Sequence, residues 1–304
     1  METQFQDLII RRPTSADLET VYQLIIACDI AEYGDPDTEL GDLRQEWREV
    51  DLAHDVWLAY DRNTLVGYAI VFAQADKASF DFYTHPERDL ADLAAYLIAQ
   101  SEARAKAVAT QEIALTTIIP SVNQPAIAAI EATGFAVSKY YFRMQIDLTE
   151  PPSPPPWPTD CILRPIQPET EAQRVFDFIY QAFDWRDSPP PDFAWWRSYM
   201  MREDHFRPEL WFLLFQQETL IGTALCYDYD DHGWVRQLAV AKPWRRHGLG
   251  SNLLRHVFGV FYQRGHRQVA LGVEANNNTA VTFYERVGMY RARQFNEYAQ
   301  SLSK

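Results

Sequence analysis

The sequence predicts two consecutive α/β domains of the α+β type, each built around a mixed β-sheet with helices packed on it. Three observations lead to this fold class. The chain has 304 residues, more than the roughly 250 that one hydrophobic core usually organises. The segment 149–160 holds six prolines in twelve positions and predicts a stiff, extended connector. The stretches on its two sides repeat each other, so we expect domains at 1–150 and 161–304 with a linker at 151–160.

The repeat is visible in short matching stretches. "IIRRP" and "TLVGYA" in the first half correspond to "ILRPI" and "TLIGTA" in the second. Further along, "NQPAIAAIEATGF" corresponds to "NNTAVTFYERVGM". A spacing of 154 residues separates three identical pairs: Asn123 and Asn277, Ala126 and Ala280, and Gly134 and Gly288. One spacing shared by three pairs is not expected by chance, and it indicates that the two domains have the same fold.

Each half predicts the same order of elements. A strand and a helix come first, followed by a hairpin around "DRNTL" or "QQETL", and then a strand, a helix, a further strand and a helix. In the second half "WVRQLAV" alternates and predicts a strand, with Trp234, Leu238 and Val240 on one face. Apolar residues at helical spacing follow it: Leu253, Leu254, Val257, Phe258 and Phe261. Gly265 ends that helix, and after the strand "QVALGVEA" a short helix starts at asparagines 276–278.

The balance of charge argues against one class of partner. The formal net charge is −14; residues 1–150 hold 25 acidic against 11 basic side chains, while 151–304 hold 17 of each. A chain with this balance is not expected to bind nucleic acid, which requires a positive face. The sequence shows neither a membrane-spanning run nor the plan of a secretory signal, so the expected compartment is the cytoplasm. The three cysteines and seven histidines show no metal-ligand spacing, so no metal is expected.

A basic loop follows the strand "WVRQLAV". Arg245, Arg246 and His247 stand directly before Gly248 and Gly250, where an apolar helix begins. A strand, a glycine-containing loop and a helix N-terminus together present unpaired backbone N–H groups to an anion. Glycine lets a phosphate approach the backbone, and the basic side chains add positive charge. The loop therefore predicts a binding site for a phosphate-containing ligand.

This loop resembles the pyrophosphate-binding loop of the GNAT superfamily of acyl-CoA-dependent N-acyltransferases, whose pattern is Q/R-x-x-G-x-G/A. Arg245, Gly248 and Gly250 match that pattern. The second pattern of the family, N-x-x-A-x-x-x-Y before a Gly-Phe or similar pair, is matched by Asn277, Ala280, Tyr284, Gly288 and Met289. The tandem layout is similar to that of the mycothiol synthase subgroup. The resemblance implies two tandem GNAT-like domains, of which the second carries the motifs.

The resemblance also implies acetyl-CoA as co-substrate. Its pyrophosphate is expected at the loop: Arg245, Arg246, His247, Gly248, Leu249, Gly250 and Ser251. Asn277, at the start of the short helix, is also expected to bind the co-substrate. Its pantetheine arm is expected beside the preceding strand, at Leu238, Ala239 and Val240. The implied reaction is direct transfer of the acetyl group to a primary amine in a ternary complex.

Two residues are candidates for the proton transfers that this reaction needs. Tyr284 is expected to protonate the departing thiol, because a phenol with a pKa of about 10 can serve a thiol with a pKa of about 8.5. "GWVRQLAV" lacks the carboxylate that many family members carry there, so Glu274, at the end of the next strand, is the candidate base. Asp231, His232 or a chain of waters are the alternatives. A backbone N–H near Val240 is expected to stabilise the oxyanion.

The first half lacks these features. Ala91 and Leu93 stand at the positions of the two loop glycines, and Ile130 stands at the position of the tyrosine. The loop carries three acidic residues instead of basic ones: Glu87, Asp89 and Asp92. Acidic side chains repel a pyrophosphate, so this half is expected to keep the fold without acetyl-CoA binding or catalysis. It then serves as a structural partner or as one wall of the acceptor cleft, with an atypical nucleotide site as the alternative.

The sequence thus predicts an acetyltransferase that acts on a primary amine, with a small molecule as the expected acceptor. The acidic first half favours a cationic acceptor. A protein N-terminus or a lysine is one alternative. The other is a protein that binds acyl-CoA and signals to a partner without catalysis, although Tyr284 has no use in such a protein.

Overall fold

The computed structural model describes residues 8–183, 190–202 and 205–303. In the first half of the sequence the elements are β1 (Leu8–Arg11), α1 (Leu18–Tyr33), α2 (Leu40–Glu49), β2 (Val56–Asp61), β3 (Thr64–Ala73), β4 (Ala78–Thr84), α3 (Ala91–Val108), β5 (Ile113–Pro120), α4 (Gln124–Ala132) and β6 (Ala136–Asp147). In the second half they are β7 (Cys161–Pro165), α5 (Pro168–Ala182), α6 (Phe193–Met200), β8 (Trp211–Gln216), β9 (Thr219–Asp228), β10 (Gly233–Val240), α7 (Leu249–Gln263), β11 (Gln268–Glu274), α8 (Asn278–Arg286) and β12 (Tyr290–Leu302). The two halves have the same order of elements, which confirms the predicted repeat of an α/β fold with a mixed sheet.

Contacts divide the chain into two compact units. Among the described residues, the first unit takes 8–141 and 293–303, and the second takes those of 142–292. The end of β12 therefore belongs to the first unit, and the end of β6 belongs to the second. The domain limits 1–150 and 161–304 were drawn from the sequence repeat, and they stay a prediction.

The sheet of the first unit has the strand order β1-β2-β3-β4-β5-β12-β6. β4 and β5 run parallel, while β12 pairs antiparallel with β5 from Phe295 to Leu302. Helices α3 and α4 cover one face, where the buried core includes Leu97 of α3. Helices α1 and α2 cover the other face, where Leu24 and Trp47 are buried. Because successive strand residues point to opposite faces, the central strands are apolar on both sides.

The sheet of the second unit has the strand order β6-β11-β10-β9-β8-β7. β10 and β11 run parallel, and β7, β8, β9 and β10 pair antiparallel in sequence. Helices α7 and α8 cover one face, and α5 and α6 cover the other. The proline-rich segment 151–160 contains neither helix nor strand, and the carbonyl of Pro156 accepts a hydrogen bond from Asn252 of α7. None of the helices in the described ranges has the length and hydrophobicity needed to cross a membrane.

The local predictions for the second half are confirmed in this unit. The five apolar residues predicted on one helix face are buried in α7: Leu253, Leu254, Val257, Phe258 and Phe261. Gly265 follows that helix with φ +101°, a conformation that favours glycine. The sequence did not indicate α2, β6 or β12. Both strands alternate polar and apolar residues irregularly, and their pairing joins segments far apart in the chain.

The predicted faces of β10 are wrong. Its pairing with β9 shifts at Arg236, which is the extra residue of a β-bulge. An extra residue reverses the face on which the following side chains lie. Leu238 and Val240 consequently pack toward the core beneath α7, whereas Trp234 packs toward the core beneath α5 and α6.

Candidate active site

β10 and β11 separate toward their carboxyl ends. In the described structure, β11 pairs with β10 only at Val269 and Ala270, which lie opposite the first two residues of β10. Beyond this point the two strands are not paired in the described structure, and we call the opening between them the cleft, with 238–240 of β10 on one side and Glu274 of β11 on the other. The edge of β10 that faces the cleft is free of ladder pairing there, so its backbone groups can bind an extended ligand.

The basic loop lies at the end of this cleft. Gly248 has φ +80°, which an L side chain rarely adopts, and an added Cβ would meet no atom within 4 Å. An added Cβ at Gly250 would lie 3.2 Å from the ring of Phe283, a tight contact, so this ring packs closely against the glycine. The six backbone N–H groups of 246–251 donate to no acceptor in the described chain, and they stand at the N-terminus of the 15-residue helix α7. This arrangement is suited to a phosphate or pyrophosphate.

The basic side chains of the loop have different roles. Arg245 donates hydrogen bonds to the carbonyl oxygens of Val240 at 3.0 Å and of Ala182 at 2.7 Å. It therefore ties the loop to the end of β10 and to the last turn of α5. Arg246 and His247 are exposed, and the Nδ1 atom of His247 lies 2.9 Å from the carbonyl oxygen of Arg245. The structure thus shows a structural role for Arg245 and leaves Arg246 open to solvent.

Two further residues of the predicted pyrophosphate site lie in the first turn of α7. The side chain of Leu249 is buried in the core, so this residue can offer a ligand only its backbone N–H. Ser251 is half-buried. Both residues stand in the first turn of α7, where backbone N–H groups have no partner within the helix, and their part in binding the pyrophosphate stays a prediction.

Helix α8 carries the predicted proton donor. The side-chain oxygen of Asn277 accepts a hydrogen bond from the N–H of Ala280 at 3.1 Å, so Asn277 is the N-cap of this helix. Tyr284 packs against Phe283, with 5.2 Å between ring centroids, and its hydroxyl has no hydrogen-bond partner in the described chain. Burial raises the pKa of Tyr284 to about 12. The phenol therefore keeps its proton at neutral pH.

Two of the three candidate bases are engaged with each other. The Nδ1 atom of His232 lies 2.5 Å from a carboxylate oxygen of Asp231, and its Nε2 atom lies 2.9 Å from a guanidinium nitrogen of Arg143. Arg143 can only donate, so Nε2 accepts and Nδ1–H donates to Asp231. The lone pair that would take a proton from a substrate is therefore occupied. The hydrogen bond from Nδ1–H of His232 also holds the pKa of the Asp231 carboxyl below its ordinary value.

Glu274 is the candidate base without such a partner. Its carboxylate is partly exposed and forms no hydrogen bond or ion pair within the described residues. Gly272 stands two residues earlier on the same face of β11, and a Cβ there would lie 3.9 Å from the indole of Trp234. Trp234 therefore occupies the space beside Gly272, and Glu274 is the first carboxylate along this face of β11.

Gln237 is a residue that the sequence reasoning did not select. It is the first residue after the bulge of β10, and its side-chain oxygen is shielded from solvent without a partner in the described structure. An unpaired buried acceptor is costly unless a ligand or water binds it. The signal in the sequence that could have identified Gln237 is its position as a polar residue within an apolar strand.

Comparison with known proteins assigns the family. The sequence model of the acetyltransferase (GNAT) family matches residues 18–135 and 170–289. The chain belongs to this family. Acetyl-CoA is the co-substrate of the GNAT family, and the unpaired N–H groups of 246–251 with the open space at Gly248 fit its pyrophosphate.

Among curated proteins, the chain is 32% identical over 96 residues to N-alpha-acetyltransferase MAK3 of Arabidopsis thaliana, which covers 30% of this chain and 50% of that protein. It is 30% identical over 100 residues to N-alpha-acetyltransferase 30 of Schizosaccharomyces pombe, covering 31% of this chain and 66% of that protein. The matches therefore span between half and two thirds of these relatives.

Solved structures match the whole chain. A GCN5-related N-acetyltransferase from Sphaerobacter thermophilus is 28% identical, with a TM-score of 0.85 over 99% of this chain and 98% of that one. A tandem GNAT protein from the clavulanic acid biosynthesis pathway is 16% identical, with a TM-score of 0.76 over 97% of this chain and 98% of that one. The latter likeness concerns the fold and confirms the tandem arrangement. The finer resemblance to the mycothiol synthase subgroup is not confirmed.

Proposed function

We propose that the second unit transfers the acetyl group of acetyl-CoA directly to a primary amine. The observation that carries the proposal is the set of unpaired N–H groups of 246–251 at the end of the cleft between β10 and β11. These groups would bind the pyrophosphate, and the free edge of β10 at 238–240 would bind the pantetheine arm. Acetyl-CoA supplies a thioester, whose carbonyl carbon is open to attack by an amine.

Three groups of the second unit divide the work of the transfer. Glu274 accepts a proton from the ammonium form of the acceptor, which leaves a neutral amine. A backbone N–H of β10 near Val240 stabilises the negative charge that develops on the thioester oxygen. As the carbon–sulfur bond breaks, the hydroxyl of Tyr284 gives its proton to the sulfur. Neither the Tyr284 hydroxyl nor the Glu274 carboxylate has a hydrogen-bond partner among the described residues, which supports these roles.

Two observations bear on the class of amine that accepts the acetyl group. The relatives named N-alpha-acetyltransferases support the α-amino group of a protein or peptide as the first class to test. A small-molecule amine, expected from the sequence, requires the same chemistry, and so does the side chain of a lysine. The unpaired oxygen of Gln237 offers one hydrogen-bond acceptor to an ammonium group in any of these cases.

The test is an assay of amine-dependent thiol release with acetyl-CoA. The panel contains peptides with free N-termini, the same peptides with blocked N-termini and a lysine, and small primary amines. Release that depends on an amine supports acetyl transfer, and the preferred amine identifies the acceptor class. Binding of acetyl-CoA without release for any amine would instead indicate a protein that binds acyl-CoA without catalysis.

The variant Tyr284→Phe tests the proton donor. We expect its kcat to fall by about 100-fold, which is the lower end of the effect of general acid catalysis, while its affinity for acetyl-CoA stays the same. Tyr290→Phe is the matched control, because Tyr290 is exposed and its hydroxyl donates to Asp147 at 3.0 Å. Equal turnover in Tyr284→Phe and in the wild type would contradict the role of Tyr284.

A further inference from the structure

The first unit contains a cavity of about 240 Å³ between β4 and β5. These parallel strands pair at Ala78 with Leu115 and at Ser79 with Thr116, and they diverge beyond that point. Helix α1 and the segment after it close the cavity on one side. At this volume the cavity accepts a molecule smaller than most drug-sized ligands, whose sites measure about 300–1,000 Å³.

Four carboxylates line the cavity: Asp29, Glu32, Asp37 and Asp81. Three of them have partners within the unit. Asp29 accepts hydrogen bonds from the backbone N–H groups of Asp37 and Thr38, both at 2.9 Å. Glu32 accepts a hydrogen bond from Asn123 at 2.6 Å, and Asp37 pairs with Arg293 at 2.7 Å.

Asp81 forms no hydrogen bond or ion pair in the described chain. Arg293 is the basic residue that pairs with this group of carboxylates, and it is engaged with Asp37. The cavity therefore has an excess of negative charge, and the carboxylate of Asp81 is available to a ligand. A carboxylate in such a place is stabilised by a cation that binds beside it.

Two hydroxyl groups give an independent indication of a ligand. Thr117 lines the cavity, is 2% exposed, and its hydroxyl has no partner in the described structure. The hydroxyl of Tyr33, which also lines the cavity, is shielded from solvent and likewise unpaired there. Buried polar groups are nearly always hydrogen-bonded in native proteins, so each of these hydroxyls indicates a molecule bound in the cavity.

The chemistry of the lining selects the kind of cation. The described residues contain no group of three or more His, Cys, Asp or Glu side chains arranged to hold a metal ion. The aromatic rings of Tyr33, Tyr83 and Phe295 also line the cavity. Aromatic side chains and separate carboxylates suit an organic ammonium group, which has both charge and apolar surface. A pyrophosphate is disfavoured, because the carboxylates would repel it.

We propose that this cavity binds a small organic cation that carries an ammonium group. Asp81 accepts a charge-assisted hydrogen bond from the ammonium group, and the hydroxyl of Thr117 gives a second contact. The aromatic rings contact the carbon chain of the ligand. This site is separate from the cleft of the second unit, and the inference does not depend on the proposed acetyl transfer.

The test is calorimetric titration of butylammonium into the full-length protein, with 1-butanol as the uncharged comparison. Asp81→Asn keeps the shape of the side chain and removes its charge, and Thr117→Val removes the hydroxyl. Asp76→Asn is the matched control, because Asp76 is an exposed aspartate outside the cavity. Glu274→Gln separates this site from binding of the same amine in the second unit.

We expect butylammonium to bind the wild type and 1-butanol not to bind. Asp81→Asn should weaken this binding by about tenfold or more, in line with the loss of a hydrogen bond to a charged group, and Thr117→Val should weaken it several-fold. Asp76→Asn should leave it unchanged, and binding at the cavity should persist in Glu274→Gln, whatever that variant does to amine binding in the second unit. The proposal is overturned if the folded wild type does not bind, if Glu274→Gln abolishes binding, or if the cavity variants bind as the wild type does. If circular dichroism shows that Asp81→Asn does not fold, the binding measured for Thr117→Val decides whether the proposal stands.

Discussion

In the second unit, β10 leaves β11 after two paired residues, and a loop with unpaired N–H groups at 246–251 follows. In the first unit, β4 leaves β5 after two paired residues as well, but the segment that follows carries exposed Glu87 and Asp89 and has no glycine. The fold thus opens the sheet in both units. The residues around each opening determine which charge it accepts: N–H groups favour an anion, and carboxylates favour a cation.

The same contrast holds inside the two openings. The matched parallel pairs place Thr117 of β5 at the position of Leu271 of β11, which is buried in the core. β4 pairs with β3 in a single register, whereas β10 contains the bulge at Arg236, so Asp81 corresponds to Gln237. The polar groups of the first cavity therefore have apolar or neutral counterparts in the second unit. The first unit thus lacks the two loop glycines and the tyrosine of the second unit, and it carries different polar groups at the corresponding opening of its sheet.

The largest effect is expected from Gly248→Asp. The change places a side chain where φ is +80° and a negative charge beside the N–H groups of 246–251. We expect the affinity for acetyl-CoA to fall by about 100-fold or more, because charge-assisted hydrogen bonds to the pyrophosphate are lost. Calorimetry measures both the affinity and the number of acetyl-CoA molecules bound per chain. The comparison of the two units predicts one site per chain.

Gly34→Asp is the control for backbone strain. Gly34 has φ +87°, and an added Cβ there would meet no atom within 4 Å, as at Gly248. It lies in the first unit, so this variant should bind acetyl-CoA as the wild type does. Two sites in the wild type, or equal losses in both variants, would contradict the assignment of acetyl-CoA to the loop of the second unit alone.

A smaller effect is expected from Glu274→Gln. If Glu274 accepts the proton of the amine, kcat/KM at neutral pH should fall by about 100-fold. The defect should shrink as the pH approaches the pKa of the acceptor amine, about 8 for an α-amino group and about 10 for a lysine or an alkyl amine, because the amine then loses its proton without a base. Asp231→Asn, measured over the same pH range, should have much less effect. Asp231 is hydrogen-bonded to His232, and the Nε2 lone pair of His232 is already occupied by Arg143. A larger loss in Asp231→Asn than in Glu274→Gln would reverse the assignment.

The smallest effect concerns the stability of the acidic first unit. Burial raises the pKa of Glu32 to about 7 from an ordinary value of 4.5, so the folded protein binds more protons than the unfolded chain between these values. Stability should therefore decrease as the pH rises from about 4.5 to 7. Urea denaturation across this range should show a weaker decrease in Glu32→Gln. Glu19→Gln changes an exposed glutamate of the same helix and should keep the slope of the wild type.

The geometry of the basic loop at 245–251 could be predicted from the sequence because it depends on neighbouring residues. A glycine at φ +80° followed directly by a helix produces the unpaired N–H groups whatever the rest of the chain does. Asn277 as N-cap and Tyr284 two turns later follow from the same local rules. The choice of base could not be predicted in this way. Arg143, which occupies His232, is 89 residues away in the chain, and only the folded sheet brings the two together.

By itself the sequence determined the repeat, the order of most elements, the binding loop and the acidic replacement of that loop in the first half. These features depend on residue types at short spacing, where glycine, charge and apolar periodicity act directly on the backbone. The tertiary structure decided the bulge at Arg236, the pairing of β12 with β5, and the cavity whose lining includes Asp81 and Thr117. A one-residue shift in strand pairing and the burial of a polar group both depend on partners distant in sequence, so no local pattern contains them.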